Sequence, residues 1–455
     1  MGETNILRSL SASTYNNKII FFLVCSLIVA LIVDTSIIKI YYFSFNQSPT
    51  DWRTILFIVI SSVYLFGLYM MSEFVKKRSE EIRKRQMLRV NPLHKMVIIS
   101  QCLLSAIIIF VIFQIIIMQY YNVILLTASV WISYINAIII MGVLAQHFFS
   151  WFKSNRNSVV FLYGLSSAIL AVNAAFIVSF VTVILRNAPD HVLAHIAVGF
   201  PFFALGPSIG FVLSYGYVIS SIVSFMLWWI ATVSVLRYYS EKSRRKMYWF
   251  IFTVPLVYFL IQFQPLFLTL FSSILASQPI LFSIIYTLVF TLSKPLGGIL
   301  FGIAFWAIAR KLTHNNHARN YMVLSAYGLI LLFVSNQAIV LVSAPYPPFG
   351  LVTTSFMGIS SYLVLVGIYS AATSVAEDSK LRQTIRKVAV KEAKLLDSIG
   401  TALMENELQR RIIKLTKEQK EILTQQTGIE PSLDEDQVKQ YVDEVIKEIK
   451  NSIQH

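Results

Sequence analysis

Two residues in this 455-residue chain carry chemistry in an unusual setting: Asp34 and Lys294 are ionisable and lie deep inside apolar runs. Asp34 comes sixteen residues after Lys18, and Lys294 comes sixteen residues before Arg310. At ~1.5 Å per helical residue, both stand about 24 Å from the same edge of a membrane. A charge at that depth is costly, and by default it faces an opposite charge or a wet cavity. Two readings follow. Asp34 and Lys294 form a buried ion pair or line one polar pocket, or each reaches separately to the outer interface.

Other constellations are weaker. Asp190, His191 and His195 share one loop, and His314 with His317 another; two histidines and a carboxylate fall short of a metal-ligand set, so no metal is expected. Gly206-Pro207-Ser208-Ile209-Gly210 matches G-x-S-x-G, but a nucleophile elbow needs a strand–turn–helix context that the start of a span does not provide. Those glycines, like Gly298 and Gly302, also read as GxxxG, the spacing that lets helices approach closely. No phosphate-cradling loop, H-E-x-x-H or dinucleotide fingerprint occurs, and no cofactor is implied. Cys25 and Cys102 both fall in apolar runs and imply neither a disulfide framework nor zinc.

The elements that must hold these residues are membrane helices. The chain is 56% hydrophobic and 13% charged, with mean hydropathy +0.66. A soluble protein is roughly 25% charged, so the composition is that of a polytopic membrane protein. Ten stretches are long enough to span, near 19–44, 54–75, 96–119, 123–149, 158–184, 208–236, 247–273, 280–309, 321–343 and 351–376. The eighth carries Ser293-Lys294-Pro295-Leu296-Gly297-Gly298; proline removes a backbone donor and glycines weaken a helix, so a break is expected at Pro295, Gly297 and Gly298. Uncharged polar residues inside the spans, among them Gln101, Gln114, Asn136, Asn173, Gln262, Gln264, Asn336 and Gln337, are candidates for interhelical hydrogen bonds or for a substrate path.

The net charge of +15 looks like a nucleic-acid signal until it is divided. From Glu377 onward there are 14 Lys and Arg against 15 Asp and Glu, which leaves 24 against 8 in the first 376 residues. That excess sits in short loops. Lys76–Lys95 holds eight basic residues, Arg237–Lys246 five and Arg310–Arg319 three, with Lys153 and Arg156 on the same side. The opposite loops hold only Lys39, Arg53 and Arg186. Basic loops stay in the cytoplasm, so both termini are expected inside a cell membrane, with the lipid bilayer as the partner of the basic loops and no nucleic acid. Trp52, Trp151, Trp249 and Trp306 lie near span ends, as interfacial rings should.

The expected organisation is an all-α transmembrane bundle over 1–376 and a cytoplasmic helical hairpin or coiled-coil tail over 377–455. Between Gly367 and Gly400 there is neither Gly nor Pro, so one helix is expected to leave the membrane and run on into the tail. The tail carries a seam of Leu381, Ile385, Val388, Leu395, Ile399, Leu408, Ile412, Leu415 and Ile422. After Gly428 and Pro431, a capping box of Ser432 and Glu435 opens a second helix. Its apolar face, Val438, Tyr441, Val442, Val445, Ile446 and Ile449, needs a protein surface: the first tail helix, a second copy of the chain or a cytoplasmic partner.

A many-span region feeding a helical hairpin resembles the sensor module of a membrane-integral histidine kinase. The resemblance implies a phospho-accepting histidine in the hairpin and a nucleotide domain after it. The tail's only histidine is His455 and no Asn-rich or Gly-rich nucleotide boxes follow, so kinase activity is not expected. EDSKLRQTIRK and LLDSIGTALMENELQRR are similar to tails of uncharacterised multi-span archaeal membrane proteins. The leading expectation is a non-enzymatic sensor-like or scaffolding protein whose tail docks a partner or a second subunit. The rival is a secondary transporter with a polar site at a broken helix, built from two inverted five-span halves. The third span has no Gly or Pro from Met96 to Gln119, which weighs against that symmetry.

Overall fold

The computed structural model describes residues 24–36, 50–84, 91–193, 209–242, 245–312, 317–343, 346–378 and 393–427, with residues 22 and 382 singly. The described chain is an all-α bundle. In order it comprises α1 (Val24–Ser36), α2 (Thr50–Lys84), α3 (Asn91–Met118), α4 (Val123–Ser154), α5 (Ser158–Arg186) and α6 (Ile209–Lys242). Then come α7 (Arg245–Ile261), α8 (Gln264–Ser277), α9 (Pro279–Lys311), α10 (His317–Ser335), α11 (Leu351–Ser355), α12 (Met357–Glu377) and α13 (Ala393–Thr427).

Among the described residues, eight helical stretches are long and apolar enough to cross a membrane, and they coincide with eight of the ten expected spans. The first expected span is represented by the shorter α1, whose flanks lie outside the described residues. The seventh is two helices, because Phe263 between α7 and α8 is extended (φ −76°, ψ 130°) and α8 opens on a proline. Proline suits a first helical turn, where no N–H is needed.

The break expected in the eighth span is absent, since α9 runs unbroken through Pro295. Proline leaves the carbonyl four residues back without its helical donor. That carbonyl belongs to Thr291, and the Gln337 side-chain amide donates to it at 3.0 Å. Gly297 and Gly298 serve close packing instead. A Cβ on Gly298 would lie 2.8 Å from Phe333 Cβ, and one on Gly302 would lie 2.9 Å from the Ala326 carbonyl. A Cβ on Gly297 would run into the Phe225 ring. Lipid offers no hydrophobic incentive for helices to associate, so this intimacy is what holds α9 to α10 and α6.

Burial rises toward the end of the chain. Only a third of the apolar windows of α2 and α3 is buried, whereas from Leu351 to Ala376 every residue but Tyr369 is buried. The last span is therefore the axis of the bundle, wrapped by α10, α4 and α3. Gly328 on α10 sits 2.8 Å, by its would-be Cβ, from the Val364 nitrogen of α12. Trp151 is buried beside Phe148 and Tyr369 rather than at a lipid interface, while Trp52, Trp249 and Trp306 are exposed. On the face away from the tail, β1 (Tyr120–Asn122) pairs antiparallel with β2 (His191–Leu193) and ties the α3–α4 turn to the segment after α5.

The expected single helix from the last span into the tail is not formed. α12 ends at Glu377, and Asp378 is extended (φ −97°, ψ 101°). The Arg382 guanidinium donates to the Ala376 carbonyl at 2.7 Å, satisfying a backbone acceptor at the helix end. α13 then packs back on the bundle, burying Leu395, Leu396, Ile399, Ala402 and Leu403, with Gly400 against Val375. Asn157 caps α5 through its oxygen and donates from its amide to Ser398 at 2.8 Å. Ser154 donates to the buried Glu405, and Asn406 donates to Ser150 at 3.4 Å. Of the apolar seam, Leu395 and Ile399 are thus consumed within the chain, and Leu408, Ile412 and Leu415 remain exposed at 46%, 37% and 58%. The expected docking face from Val438 to Ile449 lies outside the described residues.

Candidate functional site at the interrupted helices

The interruption in this bundle lies between α10 and α12, where Ser343-Ala344-Pro345-Tyr346-Pro347-Pro348-Phe349-Gly350 cannot continue a helix. α10 stops at Ser335, a 3-10 turn covers Ala338–Ser343, and the Tyr346–Pro347 bond is cis. Gly350 takes a left-handed conformation (φ 90°) that side-chain-bearing residues rarely adopt, and the five-residue α11 follows. Phe356 separates α11 from α12. In hydrocarbon each backbone group freed by such breaks must find a partner inside the protein.

Those partners are polar residues of four other elements, supported by side chains from two more. The Ser133 hydroxyl of α4 donates to the Thr354 carbonyl at 2.6 Å, and the Gly358 N–H donates to Ser133 at 3.4 Å. The Gln101 amide of α3 donates to the Ser355 carbonyl at 3.4 Å, while the Tyr64 hydroxyl of α2 donates to the Gln101 oxygen at 3.3 Å. At the other flank the Tyr134 hydroxyl accepts the Ala338 N–H at 3.2 Å and donates to the Asn336 side-chain oxygen at 3.3 Å.

The two intramembrane charges complete this set. The Asp34 Oδ2 accepts the Thr353 N–H at 3.0 Å and the Thr353 hydroxyl at 2.7 Å. Thr353 is the third residue of α11, whose N-terminal N–H groups have no partner within the helix, and its own Gly350 has no side chain to cap it. Asp34 supplies that cap from a different span. The Lys294 ammonium donates to the Asn336 carbonyl at 2.5 Å, just past the end of α10, and to the Tyr217 hydroxyl at 3.4 Å. It also lies 5.5 Å from the centre of the Tyr217 ring, within cation–π range.

Asp34 and Lys294 therefore form no ion pair, and neither reaches an interface: they are 0% and 5% exposed. They hold the two flanks of one interrupted segment. One oxygen of Asp34, one of Gln337 and the amide nitrogen of Gln262 are buried with no hydrogen-bond partner among the described residues, so the site retains unused polar capacity. Beside it a cavity of about 430 Å³ opens between α2 and α3. Its wall is mostly apolar, with Gln101, His94 and Tyr362 as polar points, and the last two meet at 3.1 Å. The cavity is in the ~300–1,000 Å³ range of small-molecule sites. Through Gln101 it borders the break itself.

Of the uncharged polar residues marked in the sequence, Gln101, Asn173, Gln262, Asn336 and Gln337 bond across helices. Asn136 bonds its own helix at Ile132, and Gln114 accepts the Asn122 N–H at the turn. His191 stands exposed in β2 against Tyr120, and no group of three metal-ligating residues occurs among the described residues. His195, Ser208 and His314 lie outside them. Sequence reasoning missed Thr353, Ser133 and Tyr134; the signal for the first was the Thr353-Thr354-Ser355 run directly after Gly350. Comparison with protein-family models, curated proteins and solved structures finds no match.

Proposed function

We propose that this chain is a membrane transporter for a small solute with an apolar body and a polar group, bound beside the interrupted segment 336–356. The observation that supports it is the pair of buried opposite charges spent on the two flanks of one broken segment, Asp34 on Thr353 and Lys294 on Asn336. Discontinuous helices whose ends face charged groups are how transporters build substrate and ion sites within a bilayer. A proton or cation arriving at Asp34, or a carboxylate at Lys294, competes directly with the bond that holds a helix end. The cavity at Gln101 gives a solute access to the same segment. Basic-loop asymmetry supports a cell-membrane location with both termini in the cytoplasm. The design does not rely on inverted halves, because α4 and α5, the counterparts of the interrupted spans, run without a break.

The test is flux. Vesicles carrying the purified protein, loaded with a pH-sensitive dye and held under a potassium diffusion potential, are given a panel of small amines and carboxylates. At least one should drive a signal that Asp34→Asn and Lys294→Met abolish. Identical traces for wild type and both variants across the panel overturn the proposal.

A second reading, sensing or scaffolding without enzymatic activity, has its own observation: α13 docks on the same helix, α12, whose other end borders the break. One rigid, buried helix would then couple the site to the tail, which recruits a second subunit or a cytoplasmic protein. Two prolines inserted near Arg386 should change oligomerisation or partner capture if that coupling exists, and leave both unchanged if it does not.

A further inference from the structure

The face of α6 that meets α5 and α9 is polar in an unusual way. Tyr217, Ser221, Ser224, Trp228 and Thr232 recur in steps of four, three, four and four, which aligns them on one side of the helix over ~22 Å. All five are at least nine-tenths buried. Asn173 and Tyr163 of α5 face them, both 0% exposed. At the end of the row away from the tail Tyr217 meets Lys294, and the Asn173 amide donates to the Tyr217 carbonyl at 3.1 Å and to Ser220 at 2.9 Å. At the other end Tyr163 lies near the start of α5, whose cap Asn157 touches the tail helix.

Three polar atoms along this row have no hydrogen-bond partner among the described residues, Asn173 Oδ1, Ser224 Oγ and Trp228 Nε1, and beyond them the Thr232 and Tyr163 hydroxyls have only each other. The Tyr163 and Thr232 hydroxyls are close enough to interact, and the Tyr163 and Trp228 ring centres are 5.2 Å apart, so the groups are neighbours. Serine and threonine in a helix can always turn back on their own carbonyls, as Ser234 does to Ile230 at 2.7 Å and Ser220 does to Tyr217 at 3.1 Å. Ser224 and Thr232 do not. A buried tryptophan N–H can only donate and normally finds an acceptor. Buried polar groups left over by the protein in one contiguous row are the signature of ordered water, which can both donate and accept.

We propose that the seam between α5 and α6 is a narrow hydrated path that joins Lys294 to the tail-side face of the bundle. It carries water, and with it protons, to the ammonium that holds the Asn336 carbonyl. Its role rests on the transport reading; its hydration does not.

Labelling of the full chain in vesicles tests this. In a Cys25→Ala/Cys102→Ala background, Ser224→Cys and Thr232→Cys are exposed to a small cationic methanethiosulfonate. Only a thiolate reacts, and a thiolate needs water, so both should be modified at least ~10-fold faster than Val223→Cys on the outward face. Rates no faster than that control overturn the path. Thr232→Val provides a second measure: in a wet seam it lowers the unfolding midpoint and slows labelling at Ser224→Cys, whereas a raised or unchanged midpoint with unaltered labelling overturns the path. The two proposals separate cleanly. Labelled Ser224→Cys in a protein without flux sinks transport alone, and flux across an unlabelled seam sinks the path alone.

Discussion

A single carboxylate oxygen of Asp34 accepts both the backbone N–H and the hydroxyl of Thr353, at 3.0 and 2.7 Å, although the two residues are 319 positions apart. The cap of a helix normally comes from the residue just before it. Here that residue is Gly350, held in a left-handed turn, and the first span of the chain supplies the cap to the last.

Asp34→Ala and Thr353→Val should therefore be coupled. Each alone is expected to cost about 1–2 kcal/mol, the worth of a buried cap. In a double-mutant cycle the pair should fall short of additivity by about 1 kcal/mol, as contacting residues do. Thermal or denaturant unfolding in detergent reads this out. Full additivity would mean that the bond does not matter.

Gln337 and Pro295 should show rescue. Gln337→Leu removes the amide that donates to the Thr291 carbonyl, at a cost of about 1–3 kcal/mol. Pro295→Ala restores an N–H four residues along α9 that can serve the same carbonyl. The double variant should recover most of the loss. A double variant less stable than Gln337→Leu would show that the side-chain amide is not a replacement for the missing helical donor.

The two kinds of glycine should respond oppositely to alanine. Gly302→Ala puts a Cβ 2.9 Å from the Ala326 carbonyl and should cost about 1–3 kcal/mol through forced separation of α9 and α10. At Gly142, an exposed position within α4, a new Cβ meets nothing within 4 Å. Gly142→Ala should be neutral or stabilise by up to ~1 kcal/mol, because alanine is the better helix former. Unfolding midpoints of the two variants decide between these signs.

The tail should release without loss of the bundle. Gly400→Leu drives a side chain into Val375, and Leu395→Asp places a charge in the interface that buries α13. Limited proteolysis should cut α13 at least ~10-fold faster in either variant, in the range expected when ~1.4 kcal/mol or more of docking is lost. The unfolding midpoint of the membrane helices should stay within a degree or two of wild type. Protection of α13 unchanged from wild type would show that the docking surface lies elsewhere.

Much of the architecture was legible in the sequence because its causes are local. Runs of apolar residues long enough to span and the Gly298–Gly302 spacing each act over one or two helices, and α3, α4, α5, α6, α9, α10 and α12 stand where they were expected. Asp34 and Lys294 stood out for the same reason, since a charge within an apolar run is conspicuous whatever it binds. The continuous helix expected from α12 into the tail does not form because the helix end depends on Arg382 reaching Ala376 and on α13 finding a surface to bury, and neither shows in local propensity. Pro295 is the expected site of a break because a proline within an apolar run is prominent. A side chain from the next span repairs that position, and the true interruption lies in a proline-rich stretch that reads as an ordinary loop.

By itself, the sequence determined that this is a many-helix membrane chain and that two of its buried residues must be held by something. Only the tertiary structure decided by what. Burial in hydrocarbon forces each charge onto the nearest unsatisfied backbone group, and nearness across 42 residues for Lys294 and Asn336, or 319 for Asp34 and Thr353, is set by how the helices pack rather than by spacing along the chain.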